Sequence, residues 1–156
     1  MEIKRATIGD LKEIQELNLR LFKKEYKEYD KTLDLSWTTG KRGKKYFKES
    51  ISNSGSCALV AKENGKVVGY LIGAVTEIAH YRTKIKKQIE LENMFVLETK
   101  RNQKVGTKLV EAFIKWARMK GADNISVTAA AQNKKGIRFY RKLGFRDYNC
   151  TLERSL

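Results

Sequence analysis

The segment Val96-Leu97-Glu98-Thr99-Lys100-Arg101-Asn102-Gln103-Lys104-Val105-Gly106-Thr107-Lys108-Leu109 ends one apolar run, passes through a basic and polar loop, and opens another. If the second run is a helix, its first turn offers backbone N–H groups without intrahelical partners and the positive end of the helix dipole, which favour an anion. Gly106 lets the backbone approach a ligand, and Arg101, Lys104 and Lys108 add fixed charge. Just upstream, Glu90-Leu91-Glu92-Asn93-Met94-Phe95-Val96 reads as a strand. Regular alternation puts Glu90, Glu92, Met94 and Val96 on one face. Two carboxylates beside an anion loop are candidates for proton transfer. Their structural alternative is a strand end open to water, or pairing with Lys86 and Lys87.

The surrounding pattern supplies the elements that hold these groups. Alternation predicts strands at 3–7, 57–61, 67–75, 88–97, 123–130 and 145–152. Spacings of three and four predict helices that open near Thr7 or Gly9-Asp10 (Leu11, Ile14, Leu17, Leu21, Phe22) and that cover 44–52, 105–120 and 133–142. Asn64-Gly65 predicts a two-residue hairpin turn, Gly121 a helix stop, and 80–87 a basic loop. The order β-α-α-β-β-β-α-β-α-β implies an α/β (α+β) domain. Its central sheet is mixed, mostly antiparallel, and flanked by helices. No linker or repeat divides the 156 residues, so 1–156 is expected to be one domain.

Composition excludes several functions. Lys and Arg number 33 against 18 Asp and Glu, a net charge of +15, which suits anionic partners. A basic nucleic-acid binder or other non-catalytic module stays open as the alternative to an enzyme, although the basic residues are dispersed and no recognition-helix or stacking motif occurs. No run is long enough to span a membrane, and no apolar leader opens the chain, so a cytoplasmic protein is expected. A single His and two Cys argue against a metal site or a disulfide scaffold. His80 reads as solvent-exposed, and neither Cys57 nor Cys150 has a histidine nearby in sequence to activate it. Neither phosphate-loop pattern, Gly-x-x-x-x-Gly-Lys-Ser/Thr or Gly-x-Gly-x-x-Gly, is present.

Val96 to Val110, followed by Asn133-Lys134-Lys135-Gly136-Ile137-Arg138-Phe139-Tyr140-Arg141-Lys142-Leu143-Gly144-Phe145, resembles the acetyl-CoA-dependent N-acetyltransferase (GNAT) superfamily. The family loop reads Arg/Gln-x-x-Gly-x-Gly/Ala, and its later segment Asn-x-x-Ala-x-x-x-Tyr-x-x-x-Gly-Phe. Arg101, Gly106, Asn133, Tyr140, Gly144 and Phe145 are in register. Lys104 and Asn102 stand where loop glycines are usual; a Lys at 104 would crowd the loop, or take a positive φ despite its Cβ, or supply a phosphate contact through its side chain, and Gly136 replaces the common Ala.

The resemblance implies acetyl-CoA as donor and a small-molecule or peptide amine as acceptor. Its pyrophosphate would rest on the amides of Asn102, Gln103, Lys104, Val105, Gly106 and Thr107, with Arg101 beside them. Its pantetheine arm would pair with the backbone of Met94, Phe95 and Val96. Asn133 would contact the cofactor besides capping its helix. Tyr140 would protonate the departing thiolate, since a phenol near 10 and a thiol near ~8.5 are close in pKa. Val96 N–H would stabilise the oxyanion. Glu92 fits the family's base position best, with Glu90 one pleat away, and both would attract a cationic amine. Tyr26 and Trp37, with Tyr29, fall where the family varies its acceptor pocket. Family members often dimerise, so a homodimer is a further expectation.

Overall fold

The computed structural model describes residues 1–78 and 83–156. Five strands form one sheet in the order β1-β2-β3-β4-β5: β1 Glu2–Arg5, β2 Ser56–Glu63, β3 Lys66–Thr76, β4 Gln88–Val96 and β5 Asn124–Val127. Neighbours are antiparallel except β4 and β5, which run parallel. The helices are α1 Leu11–Glu28, α2 Lys41–Ser52, α3 Val105–Met119 and α4 Lys134–Lys142, with short 3-10 turns at Ile8–Asp10 and Glu98–Lys100. Among the described residues no helix is long and apolar enough to cross a membrane.

Strand alternation divides the core in two. Cys57, Leu59, Ala61, Leu71, Ile89, Leu91 and Val96 face α3, whose Leu109, Val110 and Phe113 are fully buried against them. Ala58, Val60, Tyr70, Ile72 and Phe95 face α1 and α2, where Ile14, Leu17 and Phe47 cover them. The hairpin turn is as the sequence predicts, with φ of 50° at Asn64 and 78° at Gly65. His80, assigned to the basic loop, lies outside the described residues.

The connection between α1 and α2 is irregular yet tightly held. Thr38 is fully buried; its hydroxyl donates to Asn18 (2.7 Å), whose amide donates to the Tyr70 hydroxyl (2.8 Å). Gln15 donates to the Thr38 carbonyl at 2.7 Å. A Cβ on Gly43 would sit 2.1 Å from the Trp37 carbonyl, so only glycine lets α2 begin against this loop.

Two expectations are overturned. Residues 145–152 form no strand. Their alternation is real, but a strand exists only through its partner, and here Arg141 takes the Asp147 carboxylate and draws the start of the segment to α4. The second concerns β4. Ile72 pairs with Asn93 and Gly73 with Leu91, which leaves Glu92 as the extra residue of a β-bulge. Glu90 and Glu92 therefore share the α1/α2 face with Asn93 and Phe95, whereas Met94 and Val96 lie on the α3 side. Strict alternation had placed all four on one face.

Candidate active site

β4 and β5 pair only from Gln88/Asn124 to Leu91/Val127. Beyond Leu91, β4 runs on to Val96 while β5 has ended, which opens one edge of the sheet. Leu97 N–H bonds the Val68 carbonyl at 3.0 Å. Main-chain groups alternate along a strand, so Val96 and Met94 turn theirs to the open edge, whereas those of Phe95, expected to pair with the cofactor too, face Tyr70 on β3. Arg101 Nε already donates to the Val96 carbonyl at 3.1 Å, leaving both Met94 groups for an added strand and Val96 N–H free to donate to one ligand acceptor.

The loop follows directly. Arg101 is a strut as well as a charge: it reaches Val96, bonds Glu98 (2.8 Å), and lies 5.3 Å over the Phe95 ring. Gln103 donates to the Thr99 carbonyl at 3.1 Å. Asn102 and Lys104 adopt φ of 62° and 60°, the left-handed values that glycine takes without strain. Lys104 caps α3 through its carbonyl, which accepts Lys108 N–H at 3.0 Å. Among the described residues, the N–H groups from Asn102 to Thr107 donate to no protein acceptor. They form a row of donors at a helix N-terminus, beside a basic cleft of about 580 Å³. Lys24 and Tyr29 line it from the α1 end, Glu98 and Arg101 from the loop, and Lys134, Lys135 and Arg138 from α4. A diphosphate fits such donors and charges.

α4 faces this loop. Asn133 Oδ1 accepts Gly136 N–H at 3.0 Å, capping the helix. A Cβ on Gly136 would approach that side chain to 2.6 Å, so the Asn133 cap would have to shift to admit the Ala of the family pattern. Tyr140 packs edge-on against Phe139 and Phe145. Its hydroxyl has no hydrogen-bond partner among the described residues, and burial, with the Glu25 charge, pushes its pKa up to about 12. The gap to an ordinary thiol at ~8.5 is wider than the sequence implied. The phenol stays protonated at neutral pH and keeps its O–H available to donate.

Neither Glu90 nor Glu92 has an ion pair among the described residues; the Lys87 ammonium instead bonds the Lys120 carbonyl at 2.7 Å. Glu92 accepts a hydrogen bond from the Tyr46 hydroxyl. Although Glu92 reaches the surface, desolvation and the Glu90 charge lift its carboxyl above the ordinary value, against the lowering effect of that bond. Trp37 stacks on Phe22 (5.5 Å) and lies 5.4 Å from Tyr46, which brings it to the Glu92 side of the sheet. Tyr26 is exposed at the far end of α1 with the Lys31 ammonium 4.9 Å over its ring, so the structure does not bring it to Glu92.

Tyr46, Asn93 and Glu25 were not singled out in the sequence. Asn93 and Tyr46 were hidden by the bulge. Glu25 was legible: it continues the core stripe Ile14, Asn18, Leu21 of α1 as a carboxylate, and burial raises its pKa.

The model of the acetyltransferase (GNAT) family matches residues 11–145. The chain belongs to the GNAT family. An uncharacterized N-acetyltransferase of Methanocaldococcus jannaschii is 27% identical over 146 residues, covering 93% of this chain and 60% of that protein. The chain thus spans about three fifths of that relative's length. The Bacillus halodurans BH1408 protein, solved as a tetramutant, superposes with a TM-score of 0.81 over the whole of both chains at 25% identity. A predicted acetyltransferase of Clostridium acetobutylicum, solved with acetyl-CoA, has a TM-score of 0.79 at 20% identity over 99% of this chain and 95% of that one.

Proposed function

We propose that this GNAT chain is an acetyl-CoA-dependent N-acetyltransferase that acts on a primary amine by direct attack in a ternary complex. One observation carries the reading: the open edge of β4 at Met94 and Val96 leads straight into the unpaired amides of residues 102–107. A ligand with an amide-bearing arm and a diphosphate matches that sequence of donors and acceptors. Bound acetyl-CoA supplies an acyl carbonyl open to attack and a thiolate leaving group.

The chain supplies the rest. An alkylammonium with a pKa near ~10.4 must lose a proton before it is nucleophilic, and the Glu92 carboxylate, directly or through water, takes it. Glu90 adds negative potential, so this side of the sheet attracts a cation within a basic protein. Trp37 walls the approach. Val96 N–H donates to the charge that develops on the acyl oxygen. The Tyr140 hydroxyl donates to the leaving sulfur. The acceptor is a small amine, polyamine or peptide amine.

A thiol-release assay with acetyl-CoA over amines, amino-terminal peptides and polyamines tests the reading, with calorimetry for acetyl-CoA itself. Turnover with at least one primary amine is expected; flat calorimetry and no turnover would reject it.

A further inference from the structure

We infer that Tyr46 positions Glu92, which makes α2 part of the catalytic apparatus; the catalytic consequence rests on the reading of Glu92 given above. The bulge at Glu92 turns two consecutive residues, Glu92 and Asn93, toward α2, where regular alternation would turn one. A single phenol meets both. Its oxygen accepts Asn93 Nδ2–H at 2.9 Å and its O–H donates to Glu92. Asn93 is committed to this contact at a cost: its Oδ1 is buried with no partner among the described residues.

The Tyr46 ring is itself fixed. Phe47 packs against it edge-on at 5.1 Å and Trp37 lies 5.4 Å away. Trp37 sits in the loop latched by Thr38, Asn18 and Gly43. A packed chain therefore runs from α1 through Trp37 and Tyr46 to the carboxylate, and it holds Glu92 in one orientation at the open end of β4. The charged or titratable groups that face Glu92 are Glu90 on its own strand and Tyr46 on α2.

The test is Tyr46→Phe, which keeps the ring and removes the hydroxyl. The Glu92 carboxyl is followed by carbon-13 NMR in glutamate-labelled full-length protein and assigned with Glu92→Gln. The hydroxyl donates to the ionised carboxylate, so its loss favours the protonated form and the titration midpoint moves up. Asn93→Leu, which removes the donor behind the hydroxyl, moves it the same way by less. Turnover of an amine that the wild type acetylates falls about ten- to hundredfold, the scale for a displaced catalytic group, with KM for acetyl-CoA unchanged. In a Glu92→Gln background Tyr46→Phe has no further effect.

An unmoved midpoint together with additive effects overturns the inference while leaving the acetyltransferase reading intact. A shifted midpoint in a protein that acetylates no amine does the opposite: the coupling stands and the proposed function falls.

Discussion

A Cβ built on Gly106 would lie 3.2 Å from the Phe139 ring, so the first turn of α3 meets α4 through a residue with no side chain. The contact keeps the row of free amides at residues 102–107 close under α4 and clear of bulk. It also separates two demands on glycine. At Gly73 a Cβ would meet the Glu90 carbonyl and the Phe113 ring at 2.4 Å each, deep under α3.

Gly73→Ala and Gly106→Ala therefore fail differently. Gly73→Ala overpacks a core position beside a backbone carbonyl that cannot step aside, and it costs about 1–3 kcal/mol or more of stability. Gly106→Ala pushes a half-buried ring at the rim of the site and weakens acetyl-CoA binding with little loss of stability. Urea unfolding and calorimetry on the two variants separate the effects. Equal stability losses would show that Gly106 serves packing alone.

Tyr140→Phe removes a hydroxyl that has no partner among the described residues, and both edge-on aromatic contacts survive. Stability and acetyl-CoA affinity are expected to stay near wild type. Turnover should fall about a hundredfold, within the range for loss of a positioned acid. Unchanged turnover would remove Tyr140 from the chemistry.

The sheet and helices were legible because each is written in a local period. The stripe Leu109, Phe113, Ala117 marks α3, the Asn64-Gly65 turn marks the β2–β3 hairpin, and Asn133 marks the start of α4. The loop was legible in part: Lys104 adopts the positive φ that was one of the alternatives for its position, while the same conformation at Asn102 was not foreseen. What failed depended on pairing, which a single stretch of sequence does not encode. The bulge at Glu92 arises from the register of β4 against β3, and it moved Met94 and Val96 to the other face from the glutamates. Residues 145–152 alternate like a strand and lack, among the described residues, a partner to make them one. Tyr46 could not be singled out, because its hydroxyl finds Glu92 only across 46 positions of sequence.

Lys104 carries a backbone strain that can be measured. Ala and Gly at this position both delete the charge, so the difference between them isolates the backbone. A residue with a Cβ at φ 60° costs about 1–2 kcal/mol, offset by the roughly 0.5–1 kcal/mol that glycine loses to its freer unfolded chain. Lys104→Gly should be more stable than Lys104→Ala by about 0.5–1 kcal/mol in urea unfolding. Both variants should bind acetyl-CoA more weakly than wild type at low salt, with the deficit shrinking as the screening length falls to about 8 Å at physiological ionic strength. A deficit unaffected by salt would argue against a charge contact from Lys104.

Asp10 ties the start of α1 to the sheet. Its buried carboxylate accepts Thr7 N–H (2.9 Å) and the Thr7 hydroxyl (3.0 Å), and it pairs with the Lys62 ammonium. Burial alone would raise its pKa, but the Lys62 and Thr7 bonds together hold it below the ordinary carboxylate value. Its folded pKa lies below the unfolded one, so the ionised group contributes stability above about pH 4, the unfolded value. That stability is lost as pH falls through the lower folded value. Asp10→Asn should cost about 1.5–3 kcal/mol at neutral pH, the scale for a charged hydrogen-bonded group. The two proteins should converge in stability as the solution is acidified below about pH 4. Urea unfolding between pH 7 and pH 3 measures this, and a gap that stays constant with pH would show that Asp10 acts by shape and not by charge.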